Sequence, residues 1–213
     1  MPEGMPGVLP EVLRGPLRPH GRPSRLAAWL LQAWGWQVEA PGLPEEQGVI
    51  LVYPHTSNWD FVVGLLAKWA IGIEMRFWGK DSLFKWPLLG PWMRWIGGVA
   101  VDRRSPHGIV ADTVGQMQAA RQAGQRFWLA VAPEGTRSLA TGWRTGAYQV
   151  AVQAGVPVGL CYFDFQRKRV ALTHFMRVTG QVEADFAAFA AYLGHRTAKR
   201  PALASPIQPK RSR

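Results

Sequence analysis

The segment 54–60, with the sequence PHTSNWD, places a histidine and an aspartate five positions apart, His55 and Asp60. An apolar run of strand length, 48–53, precedes this segment, and a helix-like stretch, 59–72, overlaps its end. Five helical residues rotate a side chain by about 140°, so the two side chains can meet only if His55 lies in the loop and Asp60 in the first helical turn. The carboxylate would then hold one imidazole nitrogen and leave the other free to accept a proton from an alcohol. The spacing therefore predicts a general-base dyad.

Another polar segment, 132–138, has the sequence APEGTRS and directly follows a strand predicted over 126–132. Loops at the carboxyl ends of strands bind ligands in α/β sheets, and glycine permits a tight turn in such a loop. A carboxylate and a guanidinium on one loop suit a substrate with hydroxyls and a phosphate, because arginine binds phosphate through two parallel hydrogen bonds. A salt-bridged surface turn would contain the same residue types, so the loop by itself leaves both interpretations open.

Cations follow two further predicted strands. Lys80 comes after a strand predicted over 75–78, and a strand predicted over 98–101 is followed by Arg103 and Arg104. Each of these charges taken alone is compatible with an ordinary solvated side chain. Together they place three or four cations at strand ends near the proposed base, and binding of a dianionic phosphate monoester requires such a cluster.

Strand-like and helix-like segments alternate along the chain, which predicts a single layered α/β domain over 25–195, with a central, mostly parallel or mixed sheet flanked by helices. We expect a flexible Pro/Gly-rich tail over 1–24 and a flexible basic tail over 196–213. Ser57 lacks a Gly-x-Ser-x-Gly elbow, so we expect it to cap a helix rather than to act as a nucleophile. The remaining elements are strands over 156–163, 170–175 and 177–180, and helices over 24–39, 105–123, 145–154 and 184–193.

The chain carries a formal net charge of +11, and residues 196–213 hold six basic residues and no acidic residue. Because much of this excess lies in the tails, the charge favours an anionic membrane surface over nucleic acid as a partner. Three tryptophans within 25–39 predict a helix at a membrane interface. No uncharged run is long and uninterrupted enough to span a bilayer, and the N-terminus lacks a signal sequence. We therefore expect a peripheral or monotopic protein on the cytoplasmic face of the membrane.

The composition and motifs also argue against several classes of site. Cys161 is the only cysteine, which excludes an intrachain disulfide and a cysteine-rich zinc site. The dinucleotide fingerprint Gly-x-Gly-x-x-Gly, the P-loop and the zinc-protease motif His-Glu-x-x-His are all absent. We therefore expect no metal and no cofactor.

Four blocks, in this order, resemble those of the lysophospholipid and glycerolipid acyltransferase family, which includes 1-acyl-glycerol-3-phosphate acyltransferases. They are His-x-x-x-x-Asp at 55–60, a Gly-Val block ending in arginine at 98–103, Pro-Glu-Gly-Thr-Arg-Ser at 133–138 and Val-Pro-Val at 156–158. The resemblance covers roughly residues 45–182. The ordered conjunction of blocks is far more specific than any single block.

The resemblance implies transfer of a fatty acyl group from an acyl-CoA or acyl carrier protein thioester to the free hydroxyl of a lysophospholipid, foremost 1-acyl-glycerol-3-phosphate. It implies that His55 is the base and Asp60 its orienting partner. By the same resemblance Arg103, Arg137 and Lys80 hold the acceptor phosphate, and Glu134, Gly135 and Thr136 shape the acceptor site. Two alternatives stay open: a lyso-aminolipid acceptor, and a non-enzymatic basic protein that binds anionic membranes or nucleic acid.

Overall fold

The computed structural model of the protein describes residues 9–13, 17, 21–101 and 106–210. The strands of the described chain are β1 (Glu11–Val12), β2 (Gln37–Glu39), β3 (Gln47–Tyr53), β4 (Arg76–Lys80), β5 (Gly98–Val101), β6 (Phe127–Val131), β7 (Val158–Asp164) and β8 (Arg169–Arg177). The α-helices are α1 (Arg25–Ala33), α2 (Asn58–Ile71), α3 (Leu89–Trp95), α4 (Pro106–Gln122), α5 (Gly146–Ala154) and α6 (Val182–Leu193), and short 3₁₀ helices cover Asp81–Lys85 and Pro201–Leu203.

All eight strands form one mixed sheet, in the order β1-β8-β7-β3-β6-β4-β5, with β2 also paired to β8. Neighbouring strands from β7 to β5 are parallel, and β8 runs antiparallel to β7. The expected α/β fold with a mostly parallel sheet is therefore confirmed. Because parallel strands place their carboxyl ends at one edge, the loops after β3, β4 and β6 meet there.

Helices cover both faces of the sheet, as the long apolar strands require. On one face α4, α5 and α6 bury a cluster that includes Trp143, Tyr148 and Phe189. On the other face α1 and α2 cover a second cluster, which contains Leu31 and Val63. A smaller cluster of Phe84, Met93 and Ile96 packs α3 and the first 3₁₀ helix beside α2.

The helix expected over 24–39 is shorter in the structure, and its second half is a strand. α1 ends at Ala33, and Gly35 adopts φ +77, a left-handed conformation that ends helices and favours glycine. Residues 37–39 then form β2, where Val38 lies opposite Val170 of β8. None of the helices in the described part of the chain is both long and apolar enough to cross a bilayer.

Three other expected segments also differ. One strand, β8 (Arg169–Arg177), replaces the strand expected over 170–175 and includes only the first residue of the strand expected over 177–180, whose remaining residues are not in a strand. Within the N-terminal tail, β1 pairs with the edge of β8, and the Leu13 N–H donates to Phe175 O at 2.9 Å. Residues 197–210, expected to be flexible, pack against the body as a C-terminal strap, in which Ser205 is fully buried. Sequence composition missed this packing because the strap is held mainly by backbone hydrogen bonds, which any residue type except proline can donate.

Candidate active site

The start of α2 is fixed by a capping box. Ser57 is the N-cap residue, and its hydroxyl accepts a hydrogen bond from Trp59 N at 3.2 Å. In return, Oδ2 of Asp60 accepts hydrogen bonds from the backbone N–H groups of Thr56 and Ser57 at 2.7 and 2.8 Å. A capping box satisfies backbone donors that a helix start leaves without a partner. Here it also fixes the Asp60 carboxylate beneath the loop that carries His55.

The geometry brings the expected dyad together. Nδ1 of His55 lies 3.3 Å from Oδ2 of Asp60, whose side chain is buried, while a quarter of the His55 side chain is exposed. A carboxylate beside Nδ1 favours the tautomer with its proton on that nitrogen. Nε2 is then the nitrogen able to accept a proton from a bound molecule.

His55 lies where two cavities meet at the carboxyl edge of the sheet. The larger cavity has a volume of about 470 Å³ and contains the polar side chains of Thr136, Arg137, Ser138 and Arg144 in its wall. The smaller cavity, of about 190 Å³, is an apolar slot between α2 and the sheet. Both cavities share the wall residues His55, Trp78, Val131 and Ala132.

The slot is lined almost entirely by hydrocarbon and aromatic groups. Its wall includes Phe61, Leu65, Phe77 and Leu172, together with the buried thiol of Cys161. Its charged wall residues are Asp60 and Lys68, and the Lys68 Nζ donates to the backbone oxygens of Met75 and Ile96 at 3.0 and 2.6 Å. Burial lowers the pKa of Lys68. The slot therefore suits an apolar chain.

Glu134, expected to shape the acceptor site, does not line either cavity. Its side chain is buried and holds two backbone donors, with Oε1 accepting from His55 N at 2.6 Å and Oε2 from Ser205 N at 2.9 Å. Burial raises the pKa of Glu134, and the hydrogen bonds from Ser205 and His55 oppose that shift. The side chain thus connects its own loop to the loop of His55 and to the C-terminal strap.

The cations expected at strand ends have different outcomes. Arg137 lines the polar cavity, as do Gly135 and Thr136 of the same loop. Lys80 is an exposed residue at the end of β4 and is absent from the walls of both cavities. Arg103 lies outside the described residues.

Arg144 is a cation of the polar cavity that sequence reasoning missed. It lies two residues before Gly146, the first residue of α5, and its backbone N–H donates to Pro133 O at 2.8 Å. Gly135 has φ +68, and a Cβ there would lie 2.7 Å from Nε of Arg144. The glycine thus allows the Arg144 side chain to pack against the loop that carries Arg137. The sequence signal that could have identified Arg144 is its position, two residues before Gly146.

Across the described chain, no three His, Cys, Asp or Glu side chains are grouped as metal ligands would be. Besides apolar walls, the cavities are lined by an imidazole, two guanidiniums and hydroxyls, and the slot also contains the Asp60 carboxylate, the Lys68 ammonium and the Cys161 thiol. This set of groups can transfer a proton at His55 while it binds an anion on one side and an apolar chain on the other.

A protein-family model described as Acyltransferase matches residues 37–162. The chain belongs to this acyltransferase family. The matched span runs from β2 into β7, so it includes the loops that carry the dyad and the 133–138 segment. The resemblance based on ordered blocks is therefore confirmed.

Two members of the family have names that describe their reaction. The 1-acyl-sn-glycerol-3-phosphate acyltransferases of Escherichia coli K12 and Salmonella typhimurium are each 30% identical over 138 residues, which cover 61% of this chain and 53% of the relative. The chain thus spans about half the length of these curated relatives.

A solved structure of this family has the same fold. It is the 1-acyl-sn-glycerophosphate acyltransferase PlsC from Thermotoga maritima, with a TM-score of 0.52 and 16% sequence identity. The match covers 81% of this chain and 78% of that chain. The likeness supports the arrangement of sheet and helices around the candidate site.

The packing of Gly135 against Arg144 predicts different effects for two alanine substitutions. Gly155 has φ +64 and no atom within 4 Å of its Cβ position, so it is a matched control for Gly135. Each variant should lose about 1–2 kcal/mol of unfolding free energy, measured in urea, because alanine is strained in the left-handed region. Only Gly135→Ala should shift the Arg144 Nε–H resonance in an NMR spectrum. An unchanged resonance, or an equal shift in Gly155→Ala, would contradict the assigned packing.

Proposed function

We propose that the protein is an O-acyltransferase that moves a fatty acyl group from a thioester to the free hydroxyl of 1-acyl-glycerol-3-phosphate. The observation that carries this proposal is the position of His55 between a polar cavity with two arginines and an apolar slot. The acceptor combines an anionic phosphate with a hydroxyl, and the donor combines a reactive thioester with an alkyl chain. The polar cavity thus suits the acceptor phosphate and the apolar slot suits the alkyl chain of the donor, with His55 between them.

In the proposed reaction, Nε2 of His55 takes the proton from the acceptor hydroxyl as its oxygen attacks the thioester carbonyl carbon. The bond between this carbon and sulfur then breaks, and the departing thiol receives a proton from His55. The Asp60 carboxylate stabilises the imidazolium that exists between these two transfers. No covalent acyl-enzyme is required, since a thioester already has a good leaving group.

The polar cavity supplies the proposed site for the acceptor phosphate. Arg137 and Arg144 both line it, and guanidinium groups bind phosphate oxygens through paired hydrogen bonds. Arg103 stays a further proposed ligand of this phosphate. Lys80 stays in the proposal as a charge that attracts the anionic acceptor, since it lies at the same edge of the sheet as the cavity.

The apolar slot supplies the proposed site for the acyl chain. Each methylene group moved from water into such surroundings contributes about 0.8 kcal/mol, so a long chain binds strongly even in a narrow site. The carbonyl carbon of a chain held there lies at the mouth of the slot beside His55. The donor is acyl-CoA or acyl carrier protein, which share this acyl thioester.

Exposed aromatic side chains give the protein a proposed membrane-facing surface. On α1 and the start of α2, Leu26, Trp29, Trp34 and Trp59 are between 43% and 67% exposed, and the rings of Trp34 and Trp59 are 5.4 Å apart. Tryptophan favours the headgroup region of a bilayer. Lipid acceptors would then be taken from the membrane to which the protein binds peripherally.

A second set of exposed apolar residues lies on and beside α3. Trp86, Leu88 and Trp95 are between 66% and 90% exposed.

Lys168 and Lys199 lie with Trp34 and Trp59 in the wall of an open cavity of about 300 Å³. Two ammonium groups beside these rings suit the phosphates of anionic lipids at the same interface.

Loss of the base predicts loss of turnover. His55→Ala should reduce acyl transfer at least 10³-fold, because no other group at the junction of the cavities can take the hydroxyl proton. The measurement is thiol release from long-chain acyl-CoA or acyl carrier protein in liposomes, with lysophosphatidate, a lyso-aminolipid or no acceptor. His174→Ala is the control, since His174 stacks on Tyr192 away from both cavities. Turnover retained by His55→Ala would refute the mechanism, and release only with the aminolipid would refute the acceptor.

Loss of the arginines predicts weaker acceptor binding. Arg137→Ala and Arg144→Ala should each raise KM for lysophosphatidate about 10-fold or more, since each removes a charged hydrogen-bond donor from the phosphate. Arg121→Ala is the control, because its guanidinium binds Ala154 O at the amino edge of the sheet. Steady-state kinetics at varied acceptor concentration provide the measurement. Equal KM values in all three variants would exclude this cavity as the phosphate site.

The exposed aromatic surface predicts binding to vesicles. The double variant Leu26→Ala/Trp29→Ala should weaken co-sedimentation with vesicles that contain phosphatidylglycerol by at least about 10-fold, because it removes two large apolar side chains from the contact. Val152→Ala, a change at an exposed residue of α5, is the control. If the control and the double variant bind equally, α1 does not contact the membrane.

A further inference from the structure

The C-terminal strap crosses the carboxyl edge of the sheet and contacts the site loops in turn. Near its start, Thr197 O accepts from Phe165 N at 2.8 Å, just after β7. The backbone N–H of Arg200 then donates to the hydroxyl of Thr56 at 3.1 Å. Farther along, Ser205 contacts the loop after β6, where its hydroxyl accepts from Ala140 N at 3.1 Å.

One contact of the strap reaches the main chain of the proposed base. The Ser205 N–H donates to Oε2 of Glu134, and Oε1 of the same carboxylate accepts from the His55 N–H. Ser205 and Glu134 are 0% and 2% exposed, so water does not offer these groups alternative partners. A buried carboxylate that loses a donor is destabilised, because the remaining partners must compensate for its desolvation.

The other contact holds the residue next to His55. Thr56 is 1% exposed, and its backbone N–H is already bound to Asp60. Its hydroxyl accepts from the Arg200 N–H, so the strap fixes the Thr56 side chain and Asp60 fixes its main chain. The hydrogen bonds from Thr56 to Asp60 and from Arg200 to Thr56 therefore restrain the main chain and the side chain of the residue that follows His55.

We propose that the C-terminal strap positions the base, with Ser205 acting through Glu134 and Arg200 acting through Thr56. Neither these four residues nor any other residue of the strap lines the two cavities, so their role is positioning and not contact with substrate. The inference deepens the proposed function. Displacement of reacting groups by about 1 Å can reduce a rate by about 10²-fold, which is the size of effect that such restraints prevent.

Paired variants test each contact separately. Ser205→Pro removes the N–H that binds Glu134, and Ala204 already has φ −68 and ψ 122, the extended conformation that a following proline requires. Ser205→Ala retains this N–H and is its matched partner. Thr56→Val removes the hydroxyl with little change of shape, and Thr56→Ser retains it.

We expect Ser205→Pro and Thr56→Val to lower kcat about 10-fold or more and to leave KM for lysophosphatidate within about 2-fold. Thr56→Ser should retain most of kcat, and Ser205→Ala, which loses only the hydroxyl, should lower kcat less than Ser205→Pro does. Tyr192→Phe, which removes the Tyr192 hydroxyl 3.0 Å from that of Thr173, controls for a general loss of stability. A fall in kcat of equal size in Tyr192→Phe, or unchanged kcat in both Ser205→Pro and Thr56→Val, would overturn the proposal.

Amide hydrogen exchange tests the positioning independently of the reaction. Ser205→Pro should speed exchange at the His55 amide more than Ser205→Ala does, because only the proline variant removes the backbone donor to Glu134, the acceptor of that amide. Unchanged protection at His55 in Ser205→Pro would overturn the positioning role even in an active enzyme. If the wild type transfers no acyl group to any acceptor, the proposed function fails, and the exchange result still decides whether the strap holds this loop.

Discussion

One carboxylate oxygen, Oδ2 of Asp60, receives two backbone N–H groups and faces the imidazole of His55. Capping of α2 and orientation of the His55 side chain are therefore one structural requirement, since the same atom of Asp60 serves both. α2 must begin at Asn58 for the His55 side chain to be oriented by Asp60. The start of α2 is in turn placed by β3, which precedes it and lies between β6 and β7 in the sheet. The apolar slot lies between α2 and the sheet, and the polar cavity lies beside the loop after β6.

The contrast between the two cavities is what the proposed reaction requires, since one residue would then serve two chemically unlike substrates. Cations are collected on the side of the β6 loop, at Arg137 and Arg144, while the space beneath α2 is apolar. The ammonium of Lys68 in the wall of the slot already donates to the backbone oxygens of Met75 and Ile96. A phosphate would therefore lose hydration in the slot with little gain, whereas an alkyl chain loses none. His55 stands at the boundary, where a hydroxyl and a carbonyl carbon would meet.

The sequence alone was sufficient to predict features that depend on residues close together in the chain. The limits of β5 agree with the expected 98–101, and Ser57 caps α2 as its residue type indicates. The dyad could also be predicted, because a loop followed by a helix start has only a few geometries that bring its two residues together. The inward orientation of Glu134 could not, since its partner Ser205 lies 71 residues away and contributes a backbone N–H. Likewise, β2 could not be separated from α1 by composition, because it has only three residues and its pairing partner β8 lies far along the chain.

The thiol in the wall of the slot bears on the choice of a thioester as donor. Thiolates exchange acyl groups with thioesters, so a reactive cysteine beside the chain would compete with the lipid hydroxyl. Burial raises the pKa of Cys161 to about 12, so the thiol stays protonated at neutral pH. In the proposed reaction, the apolar wall that suits the alkyl chain would therefore also protect the protein from acylating itself.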